Sequence, residues 1–243
     1  MKLTIHSKYT LLFLLFVLLL VLNIVVITNS SLEISRMVRV LSTFAIFCFF
    51  IYYKKYWQGF VFLALVLFTV RDIFIINYEI SNYKTASFIF TILAYLVLAY
   101  FALKKFKFKK STPIILSYMV AMVGLNIFNL YYLSDPLTDK LDNETQLALF
   151  YVQGGVLLLL GFAAYMYYDR FFGKTPLHYL FFVICFIFSD LCGLAAYFYE
   201  IEAAFYLERS FYILALYLLV NFVFTLASAK GEGELDLKRE SYL

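Results

Sequence analysis

The sequence predicts an all-α protein: a polytopic transmembrane bundle of about eight helices, arranged as two parallel four-helix repeats. Three observations carry that expectation. Hydrophobic residues make up 64% of the 243 positions and charged residues only 15%, against roughly half and a quarter in soluble domains. Mean hydropathy is +0.86, and runs such as Leu11 to Ile27 are almost unbroken by polar residues. Lysine and arginine, finally, gather in the short segments between those runs. A soluble core of this length would alternate apolar with polar positions, so the solvent for most of this surface is lipid, and the bilayer is the first partner.

Hydrocarbon about 30 Å thick takes about 20 residues of helix, which places spans at 9–28, 38–53, 59–76, 86–103, 113–132, 147–168, 178–199 and 205–229. The prolines respect this division. Pro113 and Pro176 stand at helix starts, where a missing N–H costs nothing, and Pro136 falls in a loop. The first run follows Lys2 and Lys8 as a signal peptide would, but it is long and lacks a small-residue cleavage site, so it is kept as the first span. Residues 1–229 thus form one transmembrane domain, and 230–243, mixed in charge without apolar period, reads as a disordered cytoplasmic tail.

Charge sets the orientation. With the N-terminus inside, fourteen basic residues fall on the cytoplasmic side, among them Lys104, Lys105, Lys107, Lys109 and Lys110. Five fall outside: Arg36, Arg39, Lys84, Lys140 and Arg209. Both termini are therefore expected in the cytoplasm, with the cell (inner) membrane as the site in a bacterium. The net charge of +4 and pI near 8.8 follow from this placement and call for no nucleic acid. Tyr52, Tyr53, Tyr131, Tyr132, Tyr167 and Tyr168 lie at span ends and read as interfacial belt residues.

Several chemistries find no support. Cys48, Cys185 and Cys192 lie inside apolar runs without C-x-x-C spacing, and His6 and His178 have no ligand partners at suitable spacing, so no metal and no cofactor is expected. Asp135, Asp139, Asp142 and Glu144 lack the calcium-loop pattern and read as a solvated loop. No phosphate-binding loop, nucleophile elbow or dinucleotide fingerprint is present.

Two carboxylates lie deep within spans, Asp72 and Asp190, and each costs at least ~2.5 kcal/mol in hydrocarbon even on lenient insertion scales. Counted from the cytoplasmic starts of their spans they sit at nearly equal depth. Converging on one interior hollow, they would supply a general acid and a general base from identical side chains. The competing reading is structural: Arg71, also intramembrane, would bridge to Asp190 and pin two helices. Asn126 with Asn129 and Tyr217 with Asn221 each share a helix face, and such groups ordinarily make interhelical hydrogen bonds. A weak repeat accompanies the aspartates. Ile92–Phe101 resembles Ile213–Phe222 at an offset of 121 residues, and Asp72 and Asp190 are 118 apart.

At Leu65–Ile76, Phe186–Phe198 and Tyr217–Asn221 the chain resembles the YhhN-like family of eight-span membrane proteins, whose characterised members are lysoplasmalogenases. The Ser189-Asp190 pair looks like that family's Ser-Asp, and Val70-Arg71-Asp72 looks like its segment ending in Gly-Asp, with Arg71 in place of a small residue. Asn221 stands where glutamine is usual. The resemblance implies a lipid hydrolase that cleaves the vinyl ether of a single-chain, lysoplasmalogen-like lipid, with Asp72 and Asp190 as acid and base. Arg71, Ser189, Tyr217, Asn221, Asn126 and Asn129 would support the substrate. The alternative from another class is a transporter or sensor built on an Asp/Arg intramembrane charge group.

Overall fold

The structure is a computed structural model that describes residues 3–53, 58–105, 117, 120, 124, 140–171 and 173–232, with side chains from Lys8 to Ser228. Seven long helices make up the described residues: α1 (Leu3–Asn29), α2 (Leu32–Tyr52), α3 (Gly59–Ile76), α4 (Ser81–Leu103), α5 (Glu144–Arg170), α6 (Lys174–Tyr197) and α7 (Glu202–Glu232). All seven are long and apolar enough to cross a bilayer, which makes this a multi-pass helical membrane protein. The span expected at 113–132 lies almost wholly outside the described residues.

Helix limits follow local chemistry. α3 coincides with the span read from hydropathy, while α2 begins six residues earlier than expected, because the polar turn Ser35–Arg39 is helical and turned inward. At the start of α5 the Asn143 side chain accepts from the Gln146 N–H at 2.9 Å, and Gln146 Oε1 accepts from the Asp142 N–H at 3.0 Å. This is a near relative of the capping box. Gly173, at φ 98°, turns the chain from α5 into α6 in a conformation that other residues adopt only with strain.

Each helix packs on the next around a closed ring, α1 on α2 through to α7 on α1, with α2 and α7 also in contact across it. The interior is aromatic. Phe68 of α3 stacks on Phe186 of α6 at 4.8 Å between centroids, and Phe222 of α7 packs against Tyr179 and Phe182. Tyr167, expected in the interfacial belt, is buried among Phe101, Tyr179 and Phe222, because its rotation on α5 points it at α6 rather than at lipid. The outer surface is apolar instead: on α1 alone Leu11, Phe13, Leu14, Leu18 and Val21 are exposed, as a lipid-facing helix requires.

Directions can be read from contacts. The first turns of α4 and α5 meet, with Gln146 Nε2 donating to Ser81 Oγ at 3.0 Å and Lys84 Nζ to Asp142 at 3.1 Å. Their last turns meet as well, where Arg170 donates to the Lys105 carbonyl. Neighbouring α4 and α5 therefore run parallel. Lys8, at the start of α1, lies over the Phe224 ring near the end of α7, so the chain enters and leaves the ring at the same end.

Candidate functional site

Near the opposite end, one layer of the ring holds three arginines and three carboxylic residues. α3 supplies Asp72, entirely buried, and the neighbouring Arg71, whose Nε and Nη2 both donate to Asp72 Oδ1 at 3.0 and 2.8 Å. α2 supplies Arg39, which donates from Nε to the same oxygen at 3.0 Å, and Thr43, which donates to Oδ2 at 2.6 Å. α7 completes the shell with the Tyr212 hydroxyl, 2.7 Å from Oδ2. The Arg39 and Arg71 guanidiniums also lie over the Tyr212 ring, at 4.3 and 4.7 Å from its centroid. Every lone-pair direction of Asp72 is thus occupied by protein.

One turn earlier on α7, Glu208 Oε1 accepts from Arg39 Nη1 at 2.5 Å, while Oε2 makes no hydrogen bond and lies 3.5 Å from Arg209 Nε. Arg209 is fully buried and reaches only Ser35 Oγ, at 3.5 Å.

Asp190 of α6 stands apart from these pairs. It is half-buried, accepts one hydrogen bond from Gln153 Nε2 of α5 at 3.0 Å, and has no cation at ion-pair distance among the described residues. The Tyr95 hydroxyl of α4 approaches it without reaching hydrogen-bond geometry. Asp190 borders a cavity of about 160 Å³ lined by residues of α2 through α7. Arg39, Arg71, Glu208, Gln153 and Ser189 give that cavity its polar lining, and Phe88, Phe150, Leu157, Leu191, Leu194 and Phe198 its apolar lining.

The two aspartates occupy mirrored settings. Phe68 packs on Tyr95 at 5.8 Å and Phe186 on Tyr212 at 6.2 Å, with Asp72 accepting from Tyr212 and Asp190 close to Tyr95. The matching tyrosines are 117 residues apart. The register of α4 against α7 therefore sits one helical turn from the 121-residue offset that the apolar runs suggest. In this correspondence Ser189 stands where Arg71 does, so Asp190 has no guanidinium on the preceding residue, while Asp72 has Arg71 and also Arg39 of α2.

Of the residues singled out in the sequence, Arg71, Ser189 and Asp190 line the cavity and Asp72 does not; it lies behind the guanidiniums of Arg71 and Arg39. The bridge weighed between Arg71 and Asp190 is absent, since Arg71 pairs with its neighbour. Ser189 donates to the Glu208 carbonyl at 3.2 Å. Tyr217 packs on Phe13 and Phe16 of α1, at the ring's lipid side, and neither it nor Asn221 borders the cavity. Asn126 and Asn129 lie outside the described residues. Arg39, Glu208, Arg209 and Gln153 complete the layer although the sequence reading gave them no site role. A readable signal existed, for Arg39 with Thr43 and Glu208 with Tyr212 are polar pairs at i, i+4 near the same end of their helices.

Fold and layer together define a multi-pass helical membrane protein with a charged, cavity-bearing interior. Comparison with models of known protein families, with characterised proteins and with solved structures finds no match.

Proposed function

We propose that the chain is a membrane-embedded hydrolase of single-chain lipids, cleaving an enol ether by acid catalysis at Asp190. The observation that carries this is the position of Asp190: the aspartate that borders the cavity is also the one with no guanidinium on it. An intramembrane carboxyl kept free of ion pairs is a functional group by default. Asp190 donates its proton to the enol-ether carbon, and the oxocarbenium that results is stabilised by a carboxylate, which then accepts a proton from the attacking water. In the collapse of the hemiacetal Asp190 takes back the hydroxyl proton and the second carboxyl protonates the departing oxygen, giving one aldehyde and one alcohol and returning both groups to their starting states. Glu208 is the better-supported second carboxylate, because it lines the cavity whereas Asp72 does not and is saturated. The resemblance to the YhhN-like family supports the same chemistry through Asp190.

The test uses purified protein in nanodiscs supplied with a lysoplasmalogen. Fatty aldehyde should appear, and should be lost in Asp190→Asn and Glu208→Gln while both variants remain folded. Aldehyde release that survives Asp190→Asn would overturn the mechanism. A second reading, a transporter or sensor, is favoured by Arg209, a fully buried cation with two nitrogens that make no hydrogen bond. Folded charge variants without lipid turnover but with lost transport or signalling would support it.

The reading includes eight spans in two parallel halves with both termini cytoplasmic. Its support is the parallel run of α4 and α5, which puts Lys105 and Lys140 at opposite ends of the ring, the separation that one more crossing requires. Of the five basic residues assigned outside, Arg36, Arg39, Lys84 and Arg209 are buried in the protein, so fewer loop charges stand on that side than the raw count.

A further inference from the structure

Arg39 and Arg71 both border the cavity, and the bonding of each is incomplete. Arg71 uses Nε and Nη2 on Asp72, leaving Nη1; Arg39 uses Nε on Asp72 and Nη1 on Glu208, leaving Nη2. Neither remaining nitrogen has an acceptor among the described residues, and neither is among the atoms sealed from access. Both residues are almost wholly buried, and both line the cavity.

Two guanidiniums held rigid by a shared carboxylate, each with an amino group to spare, form a preorganised receptor for an oxyanion. Pinning by Asp72 removes most of the side-chain entropy that binding would otherwise cost. Phe88, Phe150, Leu191 and Leu194 in the same lining offer an alkyl chain apolar contact. We propose that this cavity binds the oxyanionic head, phosphate or carboxylate, of a single-chain amphiphile, with Arg39 Nη2 and Arg71 Nη1 as the head-group donors. Asp190 and Glu208 line the same cavity and make the opposite preference, for an ammonium head, the rival outcome.

The proposal shares its cavity with the hydrolase reading and deepens it by naming the head-group chemistry, but its test needs no turnover. Protein in phosphatidylcholine nanodiscs is equilibrated with dodecyl phosphate, dodecanoate, dodecanol or dodecylamine, with empty nanodiscs as the partition control, and bound ligand is counted by native mass spectrometry. One dodecyl phosphate or dodecanoate per chain is expected, held at least about tenfold more tightly than dodecanol. Arg71→Gln should lose about tenfold of that preference, with Arg71→Lys between, and Asp72 still holding Arg39, Thr43 and Tyr212.

Equal binding of dodecanol, stronger binding of dodecylamine, or an unchanged Arg71→Gln would each overturn the proposal. If Arg71→Gln does not fold, the head-group ranking on the unaltered protein decides alone. Competition by millimolar inorganic phosphate would assign the site to a free oxyanion and overturn the amphiphile; its failure to compete supports the lipid. Absent aldehyde release with intact anion selectivity would sink the hydrolase reading only.

Discussion

Asp72→Asn and Asp190→Asn are nearly the same change, in mirrored positions, yet the structure predicts very different costs. Asp72 receives five hydrogen bonds, three from guanidinium groups at 2.8 to 3.0 Å and two from hydroxyls at 2.6 and 2.7 Å. Asparagine keeps one acceptor oxygen and replaces the other with a donor, so the Thr43 and Tyr212 hydroxyls lose their acceptor. Arg71 then has no carboxylate at ion-pair distance, and Arg39 keeps Glu208 only. Breaking a buried pair by removing one charge costs about 3–5 kcal/mol. Asp190 loses no ion pair, and an amide oxygen still accepts from Gln153, so Asp190→Asn should cost about 1 kcal/mol or less.

The assay is equilibrium unfolding in mixed micelles, titrated with a denaturing detergent and followed by circular dichroism. Removing cation and anion together, as Asp72→Asn with Arg71→Gln, should recover part of the loss, with a coupling of about 0.5–3 kcal/mol. Equal destabilisation by the two asparagines, or a larger one at Asp190, would refute the division of the layer into a structural and a free carboxylate.

Three further outcomes are expected. Tyr95→Phe removes a buried hydroxyl that has no hydrogen bond, so it should leave stability unchanged or raise it by up to about 1 kcal/mol in the same titration. The Asp142 carboxyl, at the loop that starts α5, is held below its usual range by hydrogen bonds from Lys84 and then Gln146. A lowered folded value means the contact stabilises above the ordinary carboxylate pKa of about 3.9 and is lost as pH falls through the lowered one. The melting temperature of Asp142→Asn should thus lie below the parent's at pH 7 and meet it in strong acid; a gap constant with pH would contradict this. Finally, in a cysteine-free background, Lys140→Cys should react with an impermeant maleimide on intact cells and Lys104→Cys only after permeabilisation, and same-side labelling would exclude the additional crossing.

The fold was legible because hydropathy along a span acts residue by residue: α3 begins and ends where its apolar run does. The charged layer was harder to read for the same reason. Arg39, Glu208 and Arg209 lie within two turns of their helix starts, where a charge ordinarily faces headgroups, and only packing of α2 against α7 turns them into one another. Asp72 and Asp190 were visible as intramembrane carboxylates, but their difference was not. Arg71 from the same helix and Arg39 from α2 both pair with Asp72, and a neighbour on a helix points about 100° away, so sequence adjacency of Arg71 and Asp72 did not announce their contact.

A network whose sole task was to pin helices would be expected to close on itself, because each polar atom left over in a membrane interior costs free energy and adds no cohesion. The Asp72 half meets that expectation. The other half does not: Asp190 has a single amide partner, Glu208 Oε2 has no hydrogen bond, and each arginine on the cavity keeps a nitrogen without an acceptor. All of these residues line one hollow, where the bundle leaves space, while Glu208 Oε2 and two nitrogens of Arg209, likewise without hydrogen bonds, are sealed inside the layer. Coincidence of unspent polar capacity with volume is what a binding site requires before its ligand arrives. The closed half then has a role in the open one, since the carboxylate of Asp72 holds in place the two guanidiniums that face the cavity.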